Sequence, residues 1–212
     1  MSDERLLPKP SPGGWRWVIG VFVTLGIIGV TLSLIYRDYS ENNDPSVRER
    51  KRNAEFVSYA VVFSNVPESR VQPTIDDIIL SIGADSARTD LVLGSSVTDP
   101  WCRSIADYRA SLTMAMTAAK DLPIGKQTLV TSMITGLLVK SDMPATLYLI
   151  GSLNGDMTPA IRKRTQETVD AMVVRRSTRG PLSIVSYMDT TQVANAEYVR
   201  MYRDSGLPFE QR

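Results

Sequence analysis

The chain begins with one long apolar segment and continues with shorter apolar segments separated by polar residues. Residues 17–36 form an uncharged run that is bracketed by Arg16 and Arg37. At a helical rise of about 1.5 Å per residue, this run matches the ~30 Å hydrocarbon core of a bilayer. Trp17 and Tyr36 lie at its ends, where amphipathic rings favour the membrane interface. The pattern predicts a transmembrane helix at residues 15–37 that spans a lipid bilayer once.

Small side chains recur along this predicted helix. Gly20 with Thr24 and Gly29 with Ser33 are pairs four residues apart, and Gly26 lies between them. Such pairs allow two helices to approach closely in lipid, where close packing drives association. They predict contact with the helices of other membrane-protein subunits. The alternative is that glycine is simply frequent in membrane helices.

The charges flanking the predicted helix leave two orientations open. Counting basic residues slightly favours a cytoplasmic carboxyl-terminal domain, because residues 48–52 are rich in Arg and Lys. That cluster is separated from the helix by several acidic residues, however, and a short polar tail before a single helix usually stays inside. We therefore expect a bacterial inner-membrane protein with a periplasmic carboxyl-terminal domain, and the cytoplasmic orientation stays open.

The rest of the chain divides into a tail, a linker and one globular region. Residues 1–14 are rich in Pro and Gly and predict a disordered tail, and residues 38–53 form a polar juxtamembrane linker. Residues 54–212 are long enough for a complete core. Within them, runs rich in aliphatic and β-branched residues predict strands at 56–63, 90–97, 145–151 and 182–188. The final stretch, GLPFEQR, is expected to tuck against the domain or a neighbour.

Helical patterns separate these strands. Apolar spacing and capping residues predict helices at 73–83, 105–120, 128–139, 158–176 and 195–204. The helix at 128–139 is expected to bury the residues Leu129, Met133, Ile134, Leu137 and Leu138. Alternation of strands with helices predicts an α/β fold with a mostly parallel sheet flanked by helices. The continuous apolar strands suit a sheet that is buried on both faces.

The composition excludes several kinds of chemistry within this chain. It has 212 residues, a net charge of +1, one Cys and no His. A Ser-His-Asp triad and a His-ligated zinc or haem therefore cannot be built, and neither can an internal disulfide. The balanced charge argues against a nucleic-acid partner, since phosphate binding needs an excess of basic groups. No cofactor is expected.

The order of elements resembles the von Willebrand factor A family. Residues 125–151 (GKQTLVTSMITGLLVKSDMPATLYLIG) resemble the middle of that domain, and residues 90–97 resemble its second strand. The resemblance implies a Rossmann-like α/β fold with a metal site built from the loops after the first and central strands. The aspartates of that motif are missing here, since residues 64–69 read SNVPES and residues 152–154 read SLN. Thr128 alone matches the family's metal-coordinating threonine, so we expect a degenerate site without metal.

Two further features invite functional interpretation. Residues 125–128 read GKQT, but they lack the spacing of a phosphate-binding P-loop, so we expect an ordinary helix start. The predicted helix at 158–176 is rich in cations, namely Arg162, Lys163, Arg164, Arg175 and Arg176. These side chains predict a contact surface for an acidic partner or anionic lipid. A merely solvated helix face is the alternative.

Together these features predict an accessory or scaffold subunit rather than an enzyme. A single membrane helix would anchor an α/β domain that mediates protein–protein contacts in a membrane complex. Two alternatives stay open: a membrane-anchored hydrolase or transferase, and a metal-dependent adhesion or assembly module. The enzyme would use Asp, Glu, Ser or Lys side chains at the carboxyl ends of the strands, where open α/β sheets bind ligands. The metal-dependent module would hold magnesium through Thr128 and the loop at residues 64–69.

Overall fold

The computed structural model describes residues 56–83, 88–95, 101–102, 104–120 and 122–212. The predicted tail, transmembrane helix and linker all lie outside these residues. Within the described ranges, none of the helices combines the length and the apolar character needed to cross a bilayer.

The described residues form a six-stranded sheet in the order β3-β2-β1-β4-β5-β6. All neighbouring strands are parallel except β3, which pairs antiparallel with β2. The strands are β1 (Phe56–Val62), β2 (Thr89–Gly94), β3 (Trp101–Cys102), β4 (Ala145–Gly151), β5 (Leu182–Met188) and β6 (Phe209–Gln211). The helices are α1 (Glu68–Ile82), α2 (Ile105–Ala118), α3 (Ile124–Leu138), α4 (Pro159–Thr178) and α5 (Val193–Arg203). The predicted α/β fold with a mostly parallel sheet is confirmed.

Helices cover both faces of the sheet. Helices α1 and α2 pack on one face, where Ile75, Ile78 and Leu112 are fully buried. Helices α3, α4 and α5 pack on the other face, where Val169 and Tyr202 are fully buried. Strands β4 and β5 contribute side chains to both cores. This double burial explains why their sequences are continuous apolar runs rather than alternating ones.

The two edge strands were not predicted. Strand β3 is only two residues long, and β6 comes from the stretch expected to be a tail. The Ile184 N–H donates to the Pro208 carbonyl at 2.8 Å, and the following residues pair with β5. The tail therefore tucks against its own domain as a sixth strand.

Helix α1 begins earlier than its sequence predicts. The expected start was Pro73, but the helix runs from Glu68, and Pro73 lies inside it. Pro67 precedes the helix with φ −52° and ψ 135°, an extended conformation that positions the first turn. Pro73 removes one backbone N–H donor from the second turn, and the helix continues through it to Ile82. Gly83 ends α1, as expected.

Helix α3 differs from expectation in both its start and its orientation. It begins at Ile124, not at residue 128, and its buried side includes Gln127, Thr128, Thr131 and Thr135 together with Ile134 and Leu138. The other three residues expected in the core, Leu129, Met133 and Leu137, are 48%, 65% and 47% exposed. Two of the buried threonines bond within the helix, since Thr128 Oγ1 donates to the Ile124 carbonyl at 3.0 Å and Thr131 Oγ1 donates to the Gln127 carbonyl at 3.4 Å. The buried Thr135 hydroxyl has no hydrogen-bond partner among the described residues. For Leu129, Met133 and Leu137 the predicted core face was wrong.

Candidate functional site

A cavity of about 600 Å³ lies at the carboxyl ends of β1, β4 and β5. Parallel strands end at the same edge of a sheet, so the loops that follow them converge there. The loop after β1 lines the cavity through Ser64 and Asn65. Gly151 at the end of β4 and Ser152 just after it also line the cavity, and helix α1 supplies one wall. Ligands bind at this edge in open α/β sheets, so the cavity is the candidate site.

The buried amide of Gln127 ties two of these loops together. Its side chain is 1% exposed at the start of α3. Nε2 donates to the Phe63 carbonyl at 2.8 Å and to the Ser152 carbonyl at 3.1 Å. Oε1 accepts from the Asn154 N–H at 2.8 Å. One neutral side chain therefore fixes the loop after β1 against the loop after β4.

A second buried amide, Asn195 at the start of α5, joins the loop after β5. Oδ1 accepts from the Leu153 N–H at 2.9 Å. Nδ2 donates to the Asp189 carbonyl at 2.8 Å and to Ser152 Oγ at 3.2 Å. Asn195 is completely buried, so these bonds are shielded from water. The three loops are thus linked through two amide side chains.

The loops after β1 and β4 also touch directly. Ser64 Oγ accepts a hydrogen bond from the Ser152 N–H at 3.0 Å. Gly151 has φ +92°, and a Cβ at that position would lie 2.9 Å from the Ser64 carbonyl oxygen. Only glycine suits both the backbone conformation and this close approach. The contact adds a third fixed point to the floor of the cavity.

Three ionisable side chains from distant parts of the chain meet on the cavity wall. Asp77 of α1 accepts a hydrogen bond from Tyr187 Oη at 2.5 Å and another from Arg212 Nη1 at 2.7 Å. The Arg212 guanidinium, and secondarily the Tyr187 hydroxyl, hold the pKa of Asp77 below its usual value. Burial, reinforced by the bond to Asp77, raises the pKa of Tyr187. The cluster therefore presents a carboxylate, a neutral phenol and a cation.

Further charges border the same cavity. Asp189 caps its own turn, because its carboxylate accepts from the Thr191 backbone N–H at 3.0 Å, and this bond lowers the pKa of Asp189. Arg70 of α1 also lines the cavity and favours the charged form of Asp189. The lining thus carries both signs of charge among hydroxyl and amide groups. Such a surface suits a polar ligand that itself offers donors and acceptors.

The predicted metal candidate lies apart from this cavity. Thr128 is 2% exposed, and its hydroxyl is engaged with the Ile124 carbonyl inside α3. Across the part of the chain that the structure describes, no three Cys, Asp or Glu side chains are close enough to share a metal ion. The Thr128 hydroxyl, which was expected to bind a metal ion, is instead hydrogen-bonded within its own helix.

The cationic side chains of the predicted basic surface on α4 make different contacts. Arg162 forms a two-pronged ion pair with Glu197, and its Nη2 lies 3.1 Å from Oε2. Arg164 and Arg176 each donate to a backbone carbonyl of a neighbouring segment, at 3.1 Å and 2.8 Å. Lys163 is exposed. These four cations remain near the surface, but most of them also join α4 to its neighbours.

Arg175 departs from the expected surface, because only 2% of it is exposed. Its guanidinium donates to the carbonyls of Gly180 and Pro181 at 3.0 and 2.9 Å, and to those of Ser141 and Met143. Burial lowers its pKa. Its position on α4 faces the sheet, so it cannot serve as an exposed contact residue.

Several remaining candidates can now be placed. Cys102 is buried on β3. Ser64 and Ser152, expected from their positions after strands, do meet in the cavity, whereas Ser95 does not line it. The membrane-helix candidates all lie outside the described residues; they are Trp17, Gly20, Thr24, Gly26, Gly29, Ser33 and Tyr36.

The sequence did not reveal the residues that build the cavity. In the sequence, Gln127 belongs to the GKQT segment that lacks P-loop spacing, and Asn195 only begins a predicted helix. The available signal was a polar side of α3, where Gln127 precedes three threonines at helical spacing. Asp77, Tyr187 and Arg212 gave no local signal, because their contact joins α1, β5 and the end of β6.

Neither a known protein family nor a curated protein matches this chain.

Proposed function

We propose that this protein is a membrane-anchored scaffold subunit whose α/β domain binds a segment of a partner protein in the carboxyl-end cavity. The observation that carries the proposal is the pair of buried amides, Gln127 and Asn195, which fix three loops around a preformed cavity. A site that is already ordered loses little conformational entropy when a ligand binds. A fixed polar cavity is therefore better suited to recognition than to large rearrangement.

The lining supports a polar protein segment as the ligand. Arg70 and Arg212 can face acidic groups, and Asp77 and Asp189 can face basic groups or backbone N–H groups. Serine and threonine hydroxyls add donors and acceptors without fixed charge. An extended partner segment carrying charges of both signs would complement this arrangement.

The resemblance to von Willebrand factor A domains is consistent with this proposal. In that family the loops after the first and central strands hold a metal ion, and here the corresponding loops are joined by Gln127 and Ser64. Strand β4, which follows α3, lies in the middle of the sheet, as the resemblance implies. We propose that amide hydrogen bonds replace the metal as the element that orders the binding loops.

The anchor is the second part of the proposal, and it rests on the sequence. Residues 17–36 would span the bilayer and pack their small-residue face on a neighbouring helix. Replacing Gly29 with Leu should leave membrane insertion intact but weaken co-purification of partner subunits, because Leu blocks close approach. Full co-purification of partners with an inserted Gly29→Leu protein would show that this face meets only lipid.

The cavity can be tested on the full chain, extracted from its native membrane in mild detergent and sized by light scattering. A complex heavier than the single chain is expected, and Thr74→Trp, which fills the cavity, should release the partner. The matched control is Leu80→Trp, on the same helix but outside the lining, where the residue is 79% exposed. Thermal unfolding would verify that both variants fold.

Two outcomes would contradict the proposal. The wild-type chain could migrate as a lone monomer, in which case it has no stable partner. Alternatively, a folded Thr74→Trp protein could retain the partner as fully as Leu80→Trp does, which would show that binding does not use the cavity.

A further inference from the structure

Helix α3 turns an apolar stripe away from its own domain. Leu129, Met133 and Leu137 are spaced four residues apart, so they lie in one row along the helix. Each is about half exposed or more, and Met133 reaches 65%. The opposite side of the helix is buried and carries Gln127 and three threonines together with Ile124, Ile134 and Leu138. The exposed row therefore lies outside the core of its own domain and is available for a second contact.

A lysine stands at each end of this row. Lys126 lies in the first turn of α3, three residues before Leu129, and Lys140 lies in the turn just after the helix, three residues after Leu137. Both lysines are exposed, and neither pairs with a carboxylate in the described part of the chain. No acidic residue occurs between positions 122 and 141. We call Lys126, Leu129, Met133, Leu137 and Lys140 the α3 stripe.

Two residues of this surface are unfavourable for α3 by itself. Gly136 is a poor helix former, and a Cβ added to it would have no heavy atom within 4 Å. Nothing in the described domain therefore requires glycine there. Lys126 places a positive charge in the first helical turn, where the helix dipole disfavours it. Both choices are explained if another molecule approaches this surface.

We propose that the α3 stripe is the docking surface for an α-helix of a partner protein, one with an apolar row and acidic residues near both ends. The apolar row would pack along Leu129, Met133 and Leu137, while acidic side chains would pair with Lys126 and Lys140. The open space at Gly136 admits a side chain of the incoming helix, as small residues do at close helix contacts. The surface is separate from the carboxyl-end cavity, whose lining includes no residue of α3.

The charges favour this occupant over a second copy of the same chain. If two α3 helices packed together, a lysine would meet a lysine at each end in either direction, and like charges repel. An anionic membrane surface would satisfy the lysines, but fluid lipid chains need no gap at Gly136. The gap thus distinguishes a helix from a bilayer.

The test uses the full chain in cells that produce it naturally, with benzoylphenylalanine as a photo-crosslinking probe at position 133. The same probe at position 114 on α2, on the other face of the sheet and 44% exposed in the wild type, serves as the control. Position 133 should cross-link to a partner peptide, and position 114 should not. Sequencing should place the adduct in a segment with apolar residues three and four apart and acidic residues near both ends.

Variants of the stripe sharpen the test. Gly136→Trp should reduce the cross-linking yield at least tenfold, whereas Met114→Trp should leave it unchanged. Changing both lysines of the stripe to Glu should reduce the yield more than changing both to Gln, because reversal adds repulsion. Gly136→Ala should raise the melting temperature by about 2–4 °C, since Ala favours the helix and meets no neighbour.

The alternatives give different results. Adducts with lipid, with a second copy of this chain, or with no molecule at all would overturn the proposal. Full cross-linking in a folded Gly136→Trp protein would also overturn it, because a bilayer surface accepts Trp and a close-packed helix does not. None of these results depends on whether the cavity binds its own partner segment.

Discussion

At each end of the parallel sheet, buried side chains from helices join the neighbouring loops, but the side chains differ between the two ends. At the carboxyl end, the amides of Gln127 and Asn195 join the loops that follow β1, β4 and β5. At the amino end, the guanidinium of Arg175 joins the loops that precede β4 and β5 through four carbonyl groups. All three side chains are buried, and all three come from helices on the same face of the sheet.

The hydrogen-bonding capacity of each side chain matches the backbone groups that it contacts. An amide both donates and accepts, so Gln127 can satisfy two carbonyls and one N–H. A guanidinium only donates, so Arg175 suits a place where backbone carbonyls converge. The cost differs as well, because burying a charge requires more compensation than burying an amide. At the carboxyl end, the loops are therefore joined by uncharged amides, and the charged side chains lie in the lining of the cavity.

The largest effect is expected at the amino end. Arg175→Met should lower the free energy of unfolding by about 3 kcal/mol or more, because it leaves several buried carbonyls without a donor. Arg175→Lys should recover only part of the loss, since a single ammonium cannot reproduce the planar fork. Denaturant unfolding of the two variants measures the difference. Equal stability of wild type and Arg175→Met would show that the carbonyls find other partners.

A somewhat smaller effect is expected at the carboxyl end. Gln127→Met keeps the size of the side chain but removes three hydrogen bonds, and should cost about 2–3 kcal/mol of unfolding free energy. The exposed residue Gln166, changed in the same way, should cost less than ~0.5 kcal/mol.

Gln127→Glu adds a pH test of the same position. Its carboxylate would face the carbonyls of Phe63 and Ser152, so the pKa of the folded state should be raised. A raised pKa means that stability is greatest at low pH and falls as pH increases. The variant should therefore be closer to wild type near pH 4 than near pH 7. The opposite trend would contradict the hydrogen-bond assignment of Gln127.

The same comparison shows what a sequence can and cannot reveal. Strands β4 and β5 were predicted with their observed bounds, because burial on both faces leaves a continuous apolar run. Three of the five core residues predicted on α3 are exposed, because the rule that apolar residues face inward did not allow for Gln127 and three threonines on the buried side. The buried position of Arg175 was missed for a related reason: a cation on a helix usually faces solvent.

The cavity depends on contacts between residues far apart in the chain. Asp77 meets Tyr187 across a separation of 110 residues and Arg212 across 135. No local spacing predicts such a meeting, since it follows from the order of strands in the sheet. The edge strand β6 decides it, and that strand was too short to be predicted. Sequence reasoning thus located the edge of the sheet that bears the cavity, but not the side chains that form it.

A modest effect is expected for the charged cluster above the amides. Asp77→Asn should cost less than ~1 kcal/mol at pH 7, because the Asp77–Arg212 pair is partly exposed and screened by water. The pKa of Asp77 is lowered by folding, so its contribution is present above the ordinary Asp pKa of about 3.9. This contribution to stability should disappear as the pH falls through the lowered pKa of Asp77 in the folded protein. Melting temperatures of both proteins from pH 7 to pH 3 should therefore converge only at the acid end.

The smallest effect is expected from magnesium. Gln127, Asn195 and Ser64 already order the loops after β1, β4 and β5, so a metal ion has no loop left to order there. Any ion that binds only the folded protein raises its melting temperature by mass action. Millimolar magnesium and EDTA should each leave the melting temperature of the wild type unchanged. A rise in magnesium that EDTA reverses would favour the metal-dependent assembly module instead. The same melting experiment on Gln127→Met distinguishes ordering of the loops by amides from ordering by a metal ion. If Gln127 acts only through its hydrogen bonds, the variant should lose the same stability with and without magnesium. If the network is coupled to a metal, the variant should also respond differently to magnesium.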